Sequence, residues 1–202
     1  HPNAIYLYQD GRDEGTDRRL RRWIMLADTW ESDYIEYVEG NSMTLCSGLS
    51  YRGRRNRLED AQRMNALIFD LDGVGEPELR NLFLRFGAPA GRIRTMPMPT
   101  FLVASGGGLH VYYVFEQPID LFPNIKLLLK ALKYDLTFRL WEYKATSTNK
   151  EIQYQSINQG FRMVGSMNSK YGNMLRAFQT GNRVTLEYLI AYAAPLSRVN
   201  TA

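Results

Sequence analysis

Apolar and polar positions change period several times along the chain, and the sharpest pattern lies in its middle. Residues 66–71 (ALIFDL) form a short apolar run ending at an Asp-Gly, which predicts a strand. Helical spacing follows over 77–86, then strands over 100–104 (TFLVA) and 109–115 (LHVYYVF), joined by a Ser-Gly-Gly-Gly turn. A longer helical stretch covers about 124–141, and 161–164 (FRMV) reads as a short strand. Upstream, 4–8 (AIYLY) and 34–38 (YIEYV) predict aromatic strands flanking a helix near 16–30, and Ser47-Gly48-Leu49-Ser50 predicts a turn. From residue 66 the order is β-α-β-β-α-β. That order predicts an α+β fold with a ferredoxin-like or RNA-recognition-type layer, both helices on one sheet face and the other face open. The chain reads as a single domain, 1–202. A small N-terminal α/β lobe over about 1–64 packs on the sheet of 65–172, and 173–202 adds a strand and a helix.

Alternation assigns faces, since successive strand residues point to opposite sides. Leu67, Phe69 and Leu71 should pack under the helices, leaving Ile68, Asp70 and Asp72 on the open face or its rim. On the third strand His110, Tyr112 and Val114 share one face, and Val111, Tyr113 and Phe115 the other. The first and third strands are central neighbours in this topology, so His110 can lie beside Asp70 and Asp72. Two carboxylates two residues apart on a strand repel unless a cation lies between them, and oxygen ligands select Mg²⁺ or Mn²⁺. The Ser105-Gly106-Gly107-Gly108-Leu109-His110 turn can offer backbone N–H groups and an imidazole to an anion. In the third segment, Phe161-Arg162-Met163-Val164-Gly165-Ser166-Met167-Asn168-Ser169-Lys170, one Arg and one Lys flank a Gly-Ser turn and could grip a triphosphate.

With 202 residues, 45% apolar and 12% aromatic, the chain can bury a sizeable core, which argues against disorder. The lone Cys46 excludes an intrachain disulfide and a multi-cysteine zinc site; a small core residue in a reducing, cytoplasmic protein is the natural reading. No apolar run approaches the roughly 20 residues of a membrane span, and the N-terminus shows no signal peptide, so no membrane partner is expected. The net charge of +4 suits a nucleic-acid partner without demonstrating one. Its distribution is more telling. Arg18, Arg19, Arg21 and Arg22 are flanked by acids and read as a solvated face, whereas Arg52, Arg54, Arg55, Arg57 and Arg63 lead into the strand of the acidic pair.

Taken in order, DLD at 70–72, SGGGLH at 105–110 and FRMVGSMNSK at 161–170 resemble the catalytic domain of the archaeo-eukaryotic primase superfamily, specifically the primase-polymerases of plasmids, phages and integrated mobile elements. The resemblance covers roughly 65–172. It implies template-directed nucleotidyl transfer, DNA primase or polymerase activity, with two Mg²⁺ or Mn²⁺ ions on Asp70 and Asp72 together with bound nucleotide. His110 would contact the phosphates, and Ser105, Arg162, Ser166, Asn168 and Lys170 would complete the nucleotide site. The implied partners are NTP or dNTP, a single-stranded or primed DNA template met by Arg52, Arg54, Arg55 and Arg57, and a helicase domain or subunit. One departure stands out. Family members usually carry a third metal-binding carboxylate shortly before the Arg segment, yet 152–160 (IQYQSINQG) has no acid; Glu151 is the nearest candidate, with Asp135 and Glu142 farther back.

Two other readings compete. Phe69-Asp70-Leu71-Asp72-Gly73-Val74 also resembles the first motif of haloacid dehalogenase-like phosphatases, which requires a parallel sheet and a later acidic pair that this chain lacks. A non-catalytic single-strand nucleic-acid binder would use an open sheet with Tyr112 as a stacking platform.

Overall fold

The computed structural model describes residues 3–8, 20–25, 30–39, 43–53, 55–90 and 94–193. In chain order the elements are β1 (Asn3–Tyr8), β2 (Leu20–Met25), α1 (Trp30–Glu39), β3 (Met43–Tyr51), β4 (Ala61–Asp72), α2 (Glu76–Arg85), β5 (Phe101–Ala104), β6 (Gly108–Asp120), α3 (Pro123–Leu140), β7 (Phe161–Arg162), β8 (Met167–Asn168), β9 (Asn173–Met174), β10 (Arg176–Gln179) and α4 (Leu186–Ala191).

The alternation of β4 and β6 builds the centre. They pair antiparallel with Leu67 opposite Tyr113, Phe69 opposite Val111 and Leu71 opposite Leu109. All six side chains are buried with Leu82 of α2, Leu129, Leu132 and Leu136 of α3 and Leu189 of α4. Each such burial contributes about 1.5–3 kcal/mol, so the helices are held to this face by the sheet's own period. Pro123 opens α3 at a position whose N–H has no intrahelical partner, and Pro77 does the same for α2. Around this pair runs a mixed α/β architecture with an eight-stranded antiparallel sheet, ordered β10-β5-β6-β4-β3-β1-β2, with β7 pairing β3 off that path. The expected lobe boundary near 64 falls inside β4, and the sheet runs across it. Among the described residues, no helix is long and apolar enough to cross a membrane.

The upstream expectations need correction. Residues 34–38 lie in helix α1, not a strand: Tyr34 and Val38, four apart, pack on Met163 and Cys46, while Ile35 and Glu36 are exposed. The aromatic alternation of YIEYV was compatible with either period, and the buried face chose the helical one. Within the expected helix near 16–30, residues 20–25 form β2, an edge strand registered on β1 from Tyr8↔Leu20 to Asn3↔Met25; strand pairing overrides local propensity there. Ser47-Gly48-Leu49-Ser50 is not a turn but the middle of β3. Gly48 serves close approach: a Cβ there would run into the Ala66 carbonyl of β4.

The layering also departs from the ferredoxin-like plan, in which the last strand lies beside the first. Here β3 takes that place beside β4, and β7 pairs with β3, Leu45↔Arg162 and Cys46↔Phe161. The face expected to be open is partly roofed. Ile68 and His110 are buried, and the His110 ring meets Phe161 edge-on at 5.6 Å.

Candidate active site

At the C-terminal end of β4, Asp70 lies opposite His110 in register. The Asp70 N–H and C=O point away from β6, toward Gln155. Asp70 and His110 therefore form the kind of antiparallel pair that does not bond across, in which side chains come closest. The His110 Nε2 stands 3.6 Å from Asp70 Oδ1. Burial, then the Arg162 charge, pushes the His110 pKa down to about 4, so this imidazole is neutral at physiological pH. Burial, then the Asp72 charge, pushes the Asp70 carboxyl up to about 6, against the opposing pull of Lys133 and Arg162. The smaller, Asp72 part of that shift is the repulsion expected between two neighbouring carboxylates.

A cleft of about 260 Å³ opens beside this pair. Its lining includes Asp70, Asp72, Ser105, His110, Arg162, Asn168 and Lys170, drawn from all three motifs. The Gly-rich turn and the third motif are tied together by Asn168, whose Nδ2 donates to the Ser105 carbonyl at 2.6 Å and whose Oδ1 accepts from the Lys170 N–H at 3.2 Å. Asn168 thus joins the two walls, and Ser105 takes part through its backbone. A Cβ on Gly107 would collide with the Tyr171 ring, so the glycine is needed for that ring to sit against the turn; the Lys170 ammonium lies 5.0 Å from the same ring. Ser166 does not line the cleft. It is fully buried, and its hydroxyl donates to the Met163 carbonyl at 2.6 Å, which fixes the turn.

Two buried nitrogens here have no hydrogen-bond partner among the described residues, one Nη of Arg162 and Nδ1 of His110. Buried polar atoms left this way are rare, and two of them beside one cleft agree with a polar group bound there. The cleft thus gathers a guanidinium, a neutral imidazole and the Lys170 ammonium with two carboxylates, a set whose chemistry suits an anion carried with a divalent cation. Asp70 and Asp72 are oxygen donors of the kind a hard divalent cation takes, and no group of three or more acidic, His or Cys side chains suited to a metal occurs among the described residues. Glu151 is exposed and does not line the cleft. Asp135 is paired with Arg139 at 2.9 Å on α3, and Glu142 with Arg85 and Arg94.

The arginine cluster lies elsewhere. Arg52, Arg55 and Arg57 are exposed between β3 and β4, Arg57 pairs with Glu59 at 3.2 Å, and Arg63 pairs with Asp120 at 2.8 Å. Arg54, Arg18 and Arg19 lie outside the described residues. Asp70 is nine positions along β4 from Ala61, and the cluster lies in the connection that leads into the opposite end of that strand.

Two residues near the carboxylates were missed. Lys133 projects from the leucine face of α3 and is 2% exposed; its Nζ donates to the Ser156 carbonyl at 2.9 Å and lies 5.2 Å from the Phe161 ring. Burial pushes its pKa down to about 7, opposed by the Asp70 charge. A lysine at helical spacing among Leu129, Leu132 and Leu136 was a legible signal. Gln155, which holds both backbone groups of Asp70, gave none.

No family model and no curated protein matches the chain. Among solved structures, it is similar to the AEP domain of the cyanophage S-2L primase-polymerase, with a TM-score of 0.58 and 15% identity, over 96% of this chain and 89% of that one. A likeness at that identity speaks for the fold: this chain has the fold of a primase-polymerase AEP domain, in agreement with the three-motif resemblance.

Proposed function

We propose that this primase-polymerase fold carries a working site for template-directed nucleotidyl transfer, as a DNA primase or polymerase in the replication of a plasmid, phage or integrated element. The observation that carries the reading is the single cleft shared by Asp70, Asp72, His110, Arg162 and Lys170, residues from three separate sequence motifs. Asp70 and Asp72 would hold Mg²⁺ or Mn²⁺, which when bound with nucleotide activates the attacking 3′-hydroxyl and neutralises the departing pyrophosphate. Lys133 and Arg162 favour the charged form of Asp70, which keeps the carboxylate available near neutral pH. Neutral His110 offers a hydrogen bond to a phosphate without adding charge beside the carboxylates. Arg162 and Lys170 would bring to the same cleft the positive charge that a triphosphate needs. Arg52 and Arg55, with Arg54 and Arg57, would meet the backbone of a single-stranded or primed DNA template at the far end of β4.

The rival readings fit less well. Both neighbours of β4 are antiparallel, which removes the parallel sheet that a haloacid dehalogenase-like phosphatase requires. Tyr112 is half-buried, with less ring surface free than an exposed stacking platform would present.

The test is primer extension on a single-stranded DNA template with Mg²⁺ or Mn²⁺. Wild type should incorporate nucleotides, and the double variant Asp70→Ala/Asp72→Ala should lose incorporation while keeping its circular dichroism spectrum. Extension by the double variant at the wild-type rate would refute the assignment.

A further inference from the structure

On one side β4 has an incomplete neighbour. Its pairing with β3 ends at Met64, β7 pairs with that same edge of β3 farther along, and no described strand pairs with β4 at Asp70 on that edge. The Asp70 N–H and C=O point to this edge, where they would otherwise be left without backbone partners. Gln155 meets both. Its Oε1 accepts from the Asp70 N–H at 3.1 Å, and its Nε2 donates to the Asp70 carbonyl at 2.9 Å. A carboxamide presents an acceptor and a donor side by side, as a peptide group does, so one side chain pairs with Asp70 as a neighbouring strand would. The segment that carries it is anchored. Lys133 Nζ donates to the Ser156 carbonyl at 2.9 Å, Ile157 is buried, and Asn158 Nδ2 donates to the Asn56 carbonyl at 3.1 Å. Gln155 itself does not line the cleft, so any effect on chemistry must act through Asp70.

We propose that Gln155 is a positioning residue for the Asp70 carboxylate: by pairing with the Asp70 peptide it fixes the backbone from which the carboxylate projects, and so sets how tightly Asp70 and Asp72 hold a divalent cation. The metal in this statement rests on the nucleotidyl-transfer reading; the geometry rests on the two hydrogen bonds. With only two carboxylates in the cleft, a small rotation of either removes a large share of the protein ligands. Groups hydrogen-bonded to a metal-ligating side chain typically change metal affinity by about 10–100-fold when removed, and Gln155, which holds the ligand's peptide, is expected at the low end of that range.

Gln155→Met, which keeps the volume and unbranched shape but neither hydrogen bond, and Gln155→Ala are compared with wild type in three measurements. These are hydrogen exchange at the Asp70 amide by NMR, Mn²⁺ binding to the nucleotide-free protein by electron paramagnetic resonance, and primer extension over a metal titration. The expected result is faster exchange at Asp70 by about tenfold or more, a Mn²⁺ dissociation constant raised by about tenfold or more, and extension that recovers as Mn²⁺ is raised. If the alanine variant fails to fold, the methionine variant is the one read. A lower melting temperature with Mn²⁺ binding within about twofold of wild type would mean a structural role only and would overturn the proposal, as would unchanged exchange at the Asp70 amide. Should wild type itself bind no Mn²⁺, the nucleotidyl-transfer reading fails first and takes the proposal with it. That outcome is distinct from wild type and variants binding the metal equally.

Discussion

Replacing Asp70 with Asn should make the metal-free protein more stable at neutral pH, because this carboxylate sits where charge is penalised. Burial and the Asp72 charge push its carboxyl from 3.8 up to about 6. A group whose pKa is raised by folding binds more protons folded than unfolded between those two values. Its favourable contribution is therefore complete below about pH 4 and is lost as pH rises through about 6. The gap between 3.8 and about 6, at ~1.36 kcal/mol per pH unit, sets an upper bound of about 3 kcal/mol. The Asp70 side chain is 34% exposed, and solvent screening brings the expected gain from Asp70→Asn down to roughly 1–2 kcal/mol. For a chain of this length, that raises the melting temperature by about 2–8 °C. Thermal melts of wild type and Asp70→Asn in chelator, from about pH 4 to pH 8, should show a difference near zero at the acid end and full size above about pH 7. A variant no more stable than wild type at neutral pH, or a difference independent of pH, would refute the reasoning.

Lys133 and Arg162 hold the Asp70 carboxyl down, so Lys133→Met should move the acid limb of the pH–rate profile to higher pH; an unchanged limb would mean that Lys133 does not act on Asp70. Glu151→Ala, Asp135→Ala and Glu142→Ala should leave the metal requirement of primer extension within about twofold of wild type, since Glu151 is outside the cleft and the other two are ion-paired elsewhere. A selective rise in one of them would identify a third ligand. Neutralising Arg52 and Arg55 together should flatten the logarithmic salt slope of template binding by about one to two, and an unchanged slope would take the cluster off the template path.

The centre of the fold and the walls of the cleft were legible because β4 and β6 alternate cleanly. With Leu67, Phe69 and Leu71 assigned to the core, Asp70 and His110 had to share the other face, and the structure places them 3.6 Å apart. The N-terminal lobe was not legible in the same way. The pattern of 34–38 served a helix as well as a strand, and the small residues of 47–50, read as a turn, are small because β3 crosses close to β4 at Gly48. Polarity alone did not separate Ser166, which is buried in its own turn outside the cleft, from Asn168, which joins two loops and lines the cleft. Gln155 escaped notice for a deeper reason. Its role depends on the gap beside β4, which arises from the pairing of β7 with β3, and no local pattern encodes where a strand is missing.

The most direct test is a crystal structure of the protein with Mn²⁺ and a non-hydrolysable nucleoside triphosphate. An anomalous Mn²⁺ peak bridging Asp70, Asp72 and the triphosphate, with phosphate oxygens within hydrogen-bond distance of His110, Arg162 and Lys170, is the expected result. A triphosphate bound away from this cleft, or bound within it without metal on either carboxylate, would contradict the account.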